Sequence, residues 1–301
     1  MSARAPRGGA FGALLVGLAS LLFGTVVIFG KLALREDVSV ASMLAIRFAL
    51  AAVLLAAALA VTRGPLLAAP GERTGLALLA LFGYAVETFC FFSAAEHGTA
   101  AAVTLLFFTY PVFVTLGSWL LGRGTPARLT VIALACAIAG AVVVATGGSL
   151  AIDGIGVAFA LGAAVTYTGY LLGADAVLKR TNAMTSSMWV SGGASIGLLA
   201  YALASGLWVG PAGWDAWWPI VGMGLASAGA FVALLAGLRR VGAVRTSIVA
   251  STEPLAAALL GFVFLDERVS LALVAGGILI LAGAVIASVA RPATPQEQQI
   301  P

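Results

Sequence analysis

Residues 242–288 read GAVRTSIVASTEPLAAALLGFVFLDERVSLALVAGGILILAGAVIAS. An apolar segment is interrupted at Glu253 and Pro254, turns tightly through Asp266-Glu267-Arg268, and gives way to a second, uninterrupted apolar segment. Each approaches the roughly 20 residues that cross a hydrocarbon core, so the stretch predicts two membrane-spanning helices joined by a short loop. The pattern occurs twice. Residues 98–144, GTAAAVTLLFFTYPVFVTLGSWLLGRGTPARLTVIALACAIAGAVVV, also begin with small residues, carry Pro111 in mid-segment and turn at Gly122-Arg123-Gly124. Placing Pro111 on Pro254 sets Thr109 on Thr252, Tyr110 on Glu253 and Gly124 on Glu267. A weaker register, shifted by one residue, lays 12–35 on 156–179, with Phe23 on Tyr167 and Lys31 on Asp175. A repeat of about half the chain predicts a duplicated transporter-like unit, not a short solenoid repeat.

Composition agrees. Hydrophobic residues make up 61% and charged residues 9%, far from the roughly 25% charged of soluble domains, and mean hydropathy is +1.09. The chain is read as an all-α polytopic membrane protein. Hydropathy predicts ten spans, at 11–33, 40–62, 75–95, 98–121, 128–147, 154–176, 186–208, 216–238, 242–265 and 270–290. The first, although preceded by Arg4 and Arg7, is longer than the h-region of a signal peptide and is read as uncleaved. The units expected are a first five-helix repeat over 1–147, a second over 148–290, and a disordered tail over 291–301.

Basic residues fix an expected orientation. With the N-terminus cytoplasmic, the inner loops hold Arg4, Arg7, Arg63, Arg73, Arg123, Arg128, Lys179, Arg180, Arg239, Arg240 and Arg291, against Arg35 and Arg268 outside. Both termini are then cytoplasmic, and five spans per repeat, an odd number, makes the second repeat inverted. Inverted repeats are the architecture of alternating access.

Ionisable residues inside spans are functional candidates because burying a charge in the bilayer is costly. Six qualify: Lys31, Arg47, Glu87, Asp175, Arg245 and Glu253. Lys31, Asp175 and Arg245 lie near span ends and are expected to snorkel to an interface; Arg47 is placed to pair with an acid. Glu87 and Glu253 are the deepest acids. Tyr84, Glu87 and Phe91 share a helix face at i, i+3 and i+7, which suits an amphoteric or aromatic ligand or a proton, or else hydrogen bonds between helices. Pro111 and Pro254 each remove a backbone bond, which either builds a broken-helix site or merely shapes the bundle.

Tyr167 and Tyr170 share a face, as do Phe107 and Pro111, while Ser247, Ser251 and Pro254 line one side of the ninth span. With Phe23, these residues predict a cavity with hydroxyls, aromatic walls and few fixed charges. The substrate-binding set is Phe23, Tyr84, Glu87, Phe91, Phe107, Pro111, Tyr167, Tyr170, Ser247, Ser251 and Glu253. Trp208, Trp214, Trp217 and Trp218 read as interfacial anchors, His97 as a loop residue, and Cys90 and Cys136 as small core fillers. Gly193-x-Ser195-x-Gly197 matches a hydrolase elbow, but inside an apolar helix its glycines read as a packing motif.

At Gly24, at Arg47 within AIRFALAA, at TEPLAAALLGFVFLDERVS and at GGILILAGAVI the sequence resembles the EamA-type carriers of the drug/metabolite transporter superfamily, and among them the YddG-type amino-acid exporters. The resemblance implies ten helices in two inverted five-helix repeats around a central cavity. It also implies export of aromatic and other neutral amino acids and related metabolites across a bacterial inner membrane. A carrier for a sugar, nucleoside or cationic drug is the alternative, and an intramembrane hydrolase a remote one. The expected partners are small-molecule substrates and the lipid bilayer, with protons open as a coupling ion and the monomer as the working unit. No nucleic acid, enzyme activity, cofactor or metal is expected.

Overall fold

The computed structural model describes residues 8–121, 128–146, 152–177, 180–250 and 252–289, which are helical apart from loops and one isolated bridge between Gly98 and Ile152. In chain order the helices are α1 (Gly8–Leu34), α2 (Val40–Val61), α3 (Arg73–Leu78), a π-helical stretch (Leu79–Tyr84), α4 (Ala85–Glu96), α5 (Ala100–Phe107) and α6 (Tyr110–Leu120). They continue with α7 (Arg128–Thr146), α8 (Gly154–Val177), α9 (Ala183–Ala204), α10 (Trp214–Ala250), α11 (Glu253–Leu265) and α12 (Leu271–Val289). Among the described residues six helical stretches are long and apolar enough to cross a membrane: Phe11–Leu34, Val40–Val61, Arg73–Glu96, Gly154–Ala174, Ala183–Ala204 and Trp214–Leu234. Four more are apolar but shorter. An apolar solvent leaves a backbone amide no partner but its own chain, which is why spanning segments of this composition become helices.

Helix starts are written in polar residues at the loop edges. Ser39 Oγ accepts from Ser42 N, Thr99 Oγ1 from Ala102 N and Asn182 Oδ1 from Thr185 N. Each satisfies an amide with no carbonyl one turn earlier.

Three of the expected spans differ from their reading. The third is not one regular helix: Leu79–Tyr84 widens to π-helical geometry between α3 and α4. The fourth is two helices, α5 and α6, broken at Phe108-Thr109. The loop expected at 239–241 is absent, since α10 keeps a helical backbone from Trp214 to Ala250. Gly237 lies against Gly12 of α1 whereas Ala256 lies against Gly24, so the chain doubles back between Gly237 and Ala256. Arg239 and Arg240 are good helix formers, and the stronger break comes later, where Pro254 starts α11 with a pre-set φ and no donor to lose.

The packing is built from matched pairs. Helix α1 lies along α10 as α4 lies along α8, and α1 meets α11 as α8 meets α5 and α6. The pairs α2·α9 and α7·α12 map onto themselves under exchange of the two halves. Between α7 and α12 the backbones nearly touch: a Cβ on Gly140 would stand 2.6 Å from Gly276 O, and one on Gly276 would stand 2.7 Å from Gly140 O. Gly193 and Gly197 of α9 likewise take Ala80 and Leu81 of the π-helical stretch, as their spacing predicted.

Each end of the bundle is tied across the halves. At one end Lys31 forms an ion pair with Glu267 (3.2 Å) and donates to the carbonyls of Ala95 and Gly98. Both Glu267 oxygens accept from Ala100 N at 2.9 Å. Lys31 therefore does not snorkel: a carboxylate within reach satisfies it where it stands. At the same end His97 Nδ1 bonds Asp153 Oδ2 (2.9 Å), so the loop histidine joins the start of α8. Asp153 is exposed and caps that helix through Gly156 N (2.8 Å); this bond, with the one from His97, holds its carboxyl below the usual aspartate range.

At the other end Glu72 accepts from Arg180 N (2.8 Å), Thr181 N (3.0 Å) and Thr181 Oγ1 (2.6 Å). Trp189 Nε1 donates to Leu66 O there. The guanidinium of Arg240 lies 5.4 Å from the Phe11 ring at the start of α1.

Candidate functional site

An apolar core with an aromatic seam through it is the setting of the site. Phe23 of α1 meets Phe231 of α10 edge-on (5.6 Å between ring centroids), and Phe231 meets Tyr84 (6.5 Å). Tyr84 contacts Tyr170 (5.3 Å), Tyr170 stacks on Tyr167 (5.9 Å, 19°), and Tyr167 reaches Phe107 (5.2 Å) and Tyr110 (4.9 Å). Phe107 continues to Phe91 at 5.4 Å. The seven sequence-selected residues Phe23, Tyr84, Phe91, Phe107, Tyr167, Tyr170 and, through Tyr84, Glu87 are thus brought together from α1, the π-helical stretch, α4, α5 and α8.

Local structure explains why these rings converge. Tyr84 ends the π-helical stretch, whose extra residue per turn re-aims the helix just before Glu87. Tyr167 and Tyr170 sit three apart on α8, one above the other. Tyr110 begins α6 at the break, so its ring leaves the axis of α5 and returns toward Phe107 (5.3 Å).

Ionisable groups gather here too. Glu87 is 5% exposed, and its Oε2 accepts from Thr88 Oγ1 at 2.7 Å. Glu253 stands close enough for its charge to act on Tyr84 and Tyr110, and Glu87 acts on Glu253 in turn. Arg47, 4% exposed, feels both Tyr84 and Glu87. It makes no ion pair among the described residues, in contrast to the acid partner expected for it: its Nε donates to Ser227 Oγ (2.9 Å), and its guanidinium lies over the rings of Phe48 (4.6 Å) and Phe92 (5.5 Å).

Sequence reading missed Phe231, Tyr110 and Arg47 as members of this group. Tyr110 was marked by its place in the break. Phe231 carried no signal, being one phenylalanine of fifteen in an apolar helix.

The remaining candidates separate from the site or fall outside the description. Ser251, the side chains of Ser247, Pro111, Asp175 and Arg245, the turn at 122–124 and the tail 291–301 lie outside the described residues. Ser195 Oγ donates to Ala45 O (2.7 Å), tying α9 to α2 as a packing residue does. Cys90 and Cys136 are free thiols, half-buried, and Trp208, Trp214, Trp217 and Trp218 are exposed.

A model of the EamA-like transporter family matches residues 10–146 and again residues 154–289. An uncharacterized transporter of Archaeoglobus fulgidus is 28% identical over 279 residues, which cover 92% of this chain and 96% of that protein. A crystal structure superposes with a TM-score of 0.65 at 21% identity, over 92% of this chain and 96% of that one, a likeness of fold.

Proposed function

The chain belongs to the EamA-like transporter family, and we propose that it exports aromatic and neutral amino acids and related small metabolites by alternating access through a central cavity that opens along the aromatic seam. The observation that carries this reading is the meeting of Tyr84, Glu87, Tyr110, Tyr167 and Glu253, drawn from both halves of the chain, in one group of buried and half-buried side chains. Aromatic faces suit an apolar or aromatic side chain, and the charged groups suit the two ends of an amino acid.

In this reading ten spans form two inverted repeats, 1–147 and 148–290. The matched helix pairs support it, as does the fact that α1 ends beside Gly98 and Ile152, where α8 begins. The ties at Lys31–Glu267 and at Glu72–Thr181 then close the two mouths, and transport releases one at a time. The distribution of basic residues supports an orientation with the Lys31 mouth outside and both termini cytoplasmic, and the membrane of this reading is a bacterial inner membrane. The monomer suffices, with a proton as the open coupling ion on Glu87 or Glu253.

A second reading, export of cationic aromatic compounds, is favoured by the two acids beside tyrosines. Efflux from proteoliposomes loaded with labelled phenylalanine, threonine, lysine and a sugar, with and without a pH gradient, separates the readings. Loss of phenylalanine and threonine with retention of the sugar supports amino-acid export. Loss of lysine alone supports the cation reading, and movement of the sugar alone refutes both.

A further inference from the structure

Arg47 is the one described buried guanidinium in the seam, and its hydrogen bonding is incomplete. The side chain is 4% exposed, Nε is taken by Ser227, and Nη1 is fully buried with no hydrogen-bond partner. A buried cation left part-satisfied costs stability, so a fold that keeps one has a use for it or a compensating group. Here the compensation is incomplete. The faces of Phe48 and Phe92 attract the positive charge but accept no in-plane hydrogen bond. Glu87 acts on Arg47 from beyond ion-pair distance, and its own Oε2 is engaged by Thr88.

A guanidinium whose faces lie against rings presents its N–H groups at its edge, in the fork that matches a carboxylate. An acid, Glu87, stands within electrostatic reach of it. Two opposite charges near each other without contact are the recognition pattern of a zwitterion, whose own charges are separated by a few bonds.

We infer that Arg47 binds the α-carboxylate of the transported amino acid through Nη1, with the α-ammonium held at Glu87 and the side chain against Tyr84 and the rest of the seam. This rests on the amino-acid reading and sharpens it: both ends of the zwitterion are required, and an amine without a carboxylate is a poor ligand. Arg47 and Ser227 lie on α2 and α10, so carboxylate binding also bears on how those two helices sit against each other.

The test uses the full chain in detergent or proteoliposomes, with labelled phenylalanine displaced by phenylalanine or by phenethylamine, which lacks only the carboxylate. The wild type is expected to hold phenylalanine at least about tenfold more tightly than phenethylamine. Arg47→Gln is expected to weaken phenylalanine by at least about tenfold while leaving phenethylamine unchanged or tighter, since a cation near the ammonium has been removed. Arg47→Lys keeps the charge, loses the fork, and should fall between.

Equal wild-type affinity for the two ligands overturns the inference without recourse to a variant. So does an Arg47→Gln protein that retains the wild-type preference, which makes Arg47 a packing residue held by Ser227. A wild type that binds phenethylamine but neither binds nor moves phenylalanine removes the amino-acid reading itself, a different failure from an unchanged preference in the variant.

Discussion

The two helix breaks, Thr109-Tyr110-Pro111 and Thr252-Glu253-Pro254, are nearly the same piece of backbone with different chemistry attached. Thr109 sits at φ −74°, ψ −14° and Thr252 at φ −80°, ψ −11°. Each threonine hydroxyl donates 2.7 Å to the carbonyl three residues back, Leu106 or Val249. Each amide bonds the same carbonyl, at 3.1 and 3.0 Å. In both, proline opens the next helix, where its missing donor costs nothing.

Between threonine and proline the copies part. Tyr110 joins Phe107 and Tyr167 in the seam, and Glu253 brings a carboxylate within electrostatic range of Tyr110 and Glu87. The comparison teaches that T-x-P specifies the break, and that the residue left free to vary assigns the chemistry. A duplicated scaffold thereby presents unlike groups at its two breaks.

Making the two breaks alike should do the most damage. Tyr110→Glu would set a third carboxylate beside Glu253 and Glu87, and transport is expected to fall at least about a hundredfold in initial efflux rate, since like charges in a low dielectric repel strongly. Removing the charge from the second break is milder. Glu253→Gln keeps shape and hydrogen bonding, and should raise the KM for phenylalanine about tenfold with little change in thermal unfolding.

The first break carries an additional restraint, because Glu267 holds Ala100 N at the start of α5 and pairs with Lys31. Glu267→Gln leaves a half-buried lysine without its partner and should cost about 3 kcal/mol in unfolding free energy. The threonines give the smallest and most discriminating effect. Thr109 is 4% exposed and Thr252 is exposed. Thr109→Val should therefore destabilise by about 1 kcal/mol and Thr252→Val by less, as denaturation of the two variants side by side would show.

Much of this was legible in the chain. The repeat register set Thr109 and Tyr110 on Thr252 and Glu253 before any coordinates, because proline and its neighbours constrain backbone locally. The aromatic face followed from helical spacing, as Tyr84, Glu87 and Phe91 show. What escaped was non-local or lacked a composition signal. Leu79–Tyr84 reads as ordinary helix, and nothing in LALFGY announces a π turn. Arg47 meets Ser227 across 180 residues, and Lys31 meets Glu267 from opposite halves of the chain. Hydropathy assigned Lys31 to an interface because it sees a charge near a helix end and not the carboxylate that the fold delivers there. The doublet Arg239-Arg240 was read as a loop for a similar reason: charge marks the membrane boundary, but only the backbone decides whether the helix stops.

The central claim is that the two breaks face one substrate. It is tested most directly by a double-mutant cycle on Tyr110→Phe and Glu253→Gln, read out as the affinity for labelled phenylalanine. Groups that share a ligand should couple, and the double variant is expected to differ from the sum of the singles by at least about 1 kcal/mol. Additivity within about 0.3 kcal/mol would mean that the breaks act at separate places, and the shared site between the two halves would be wrong.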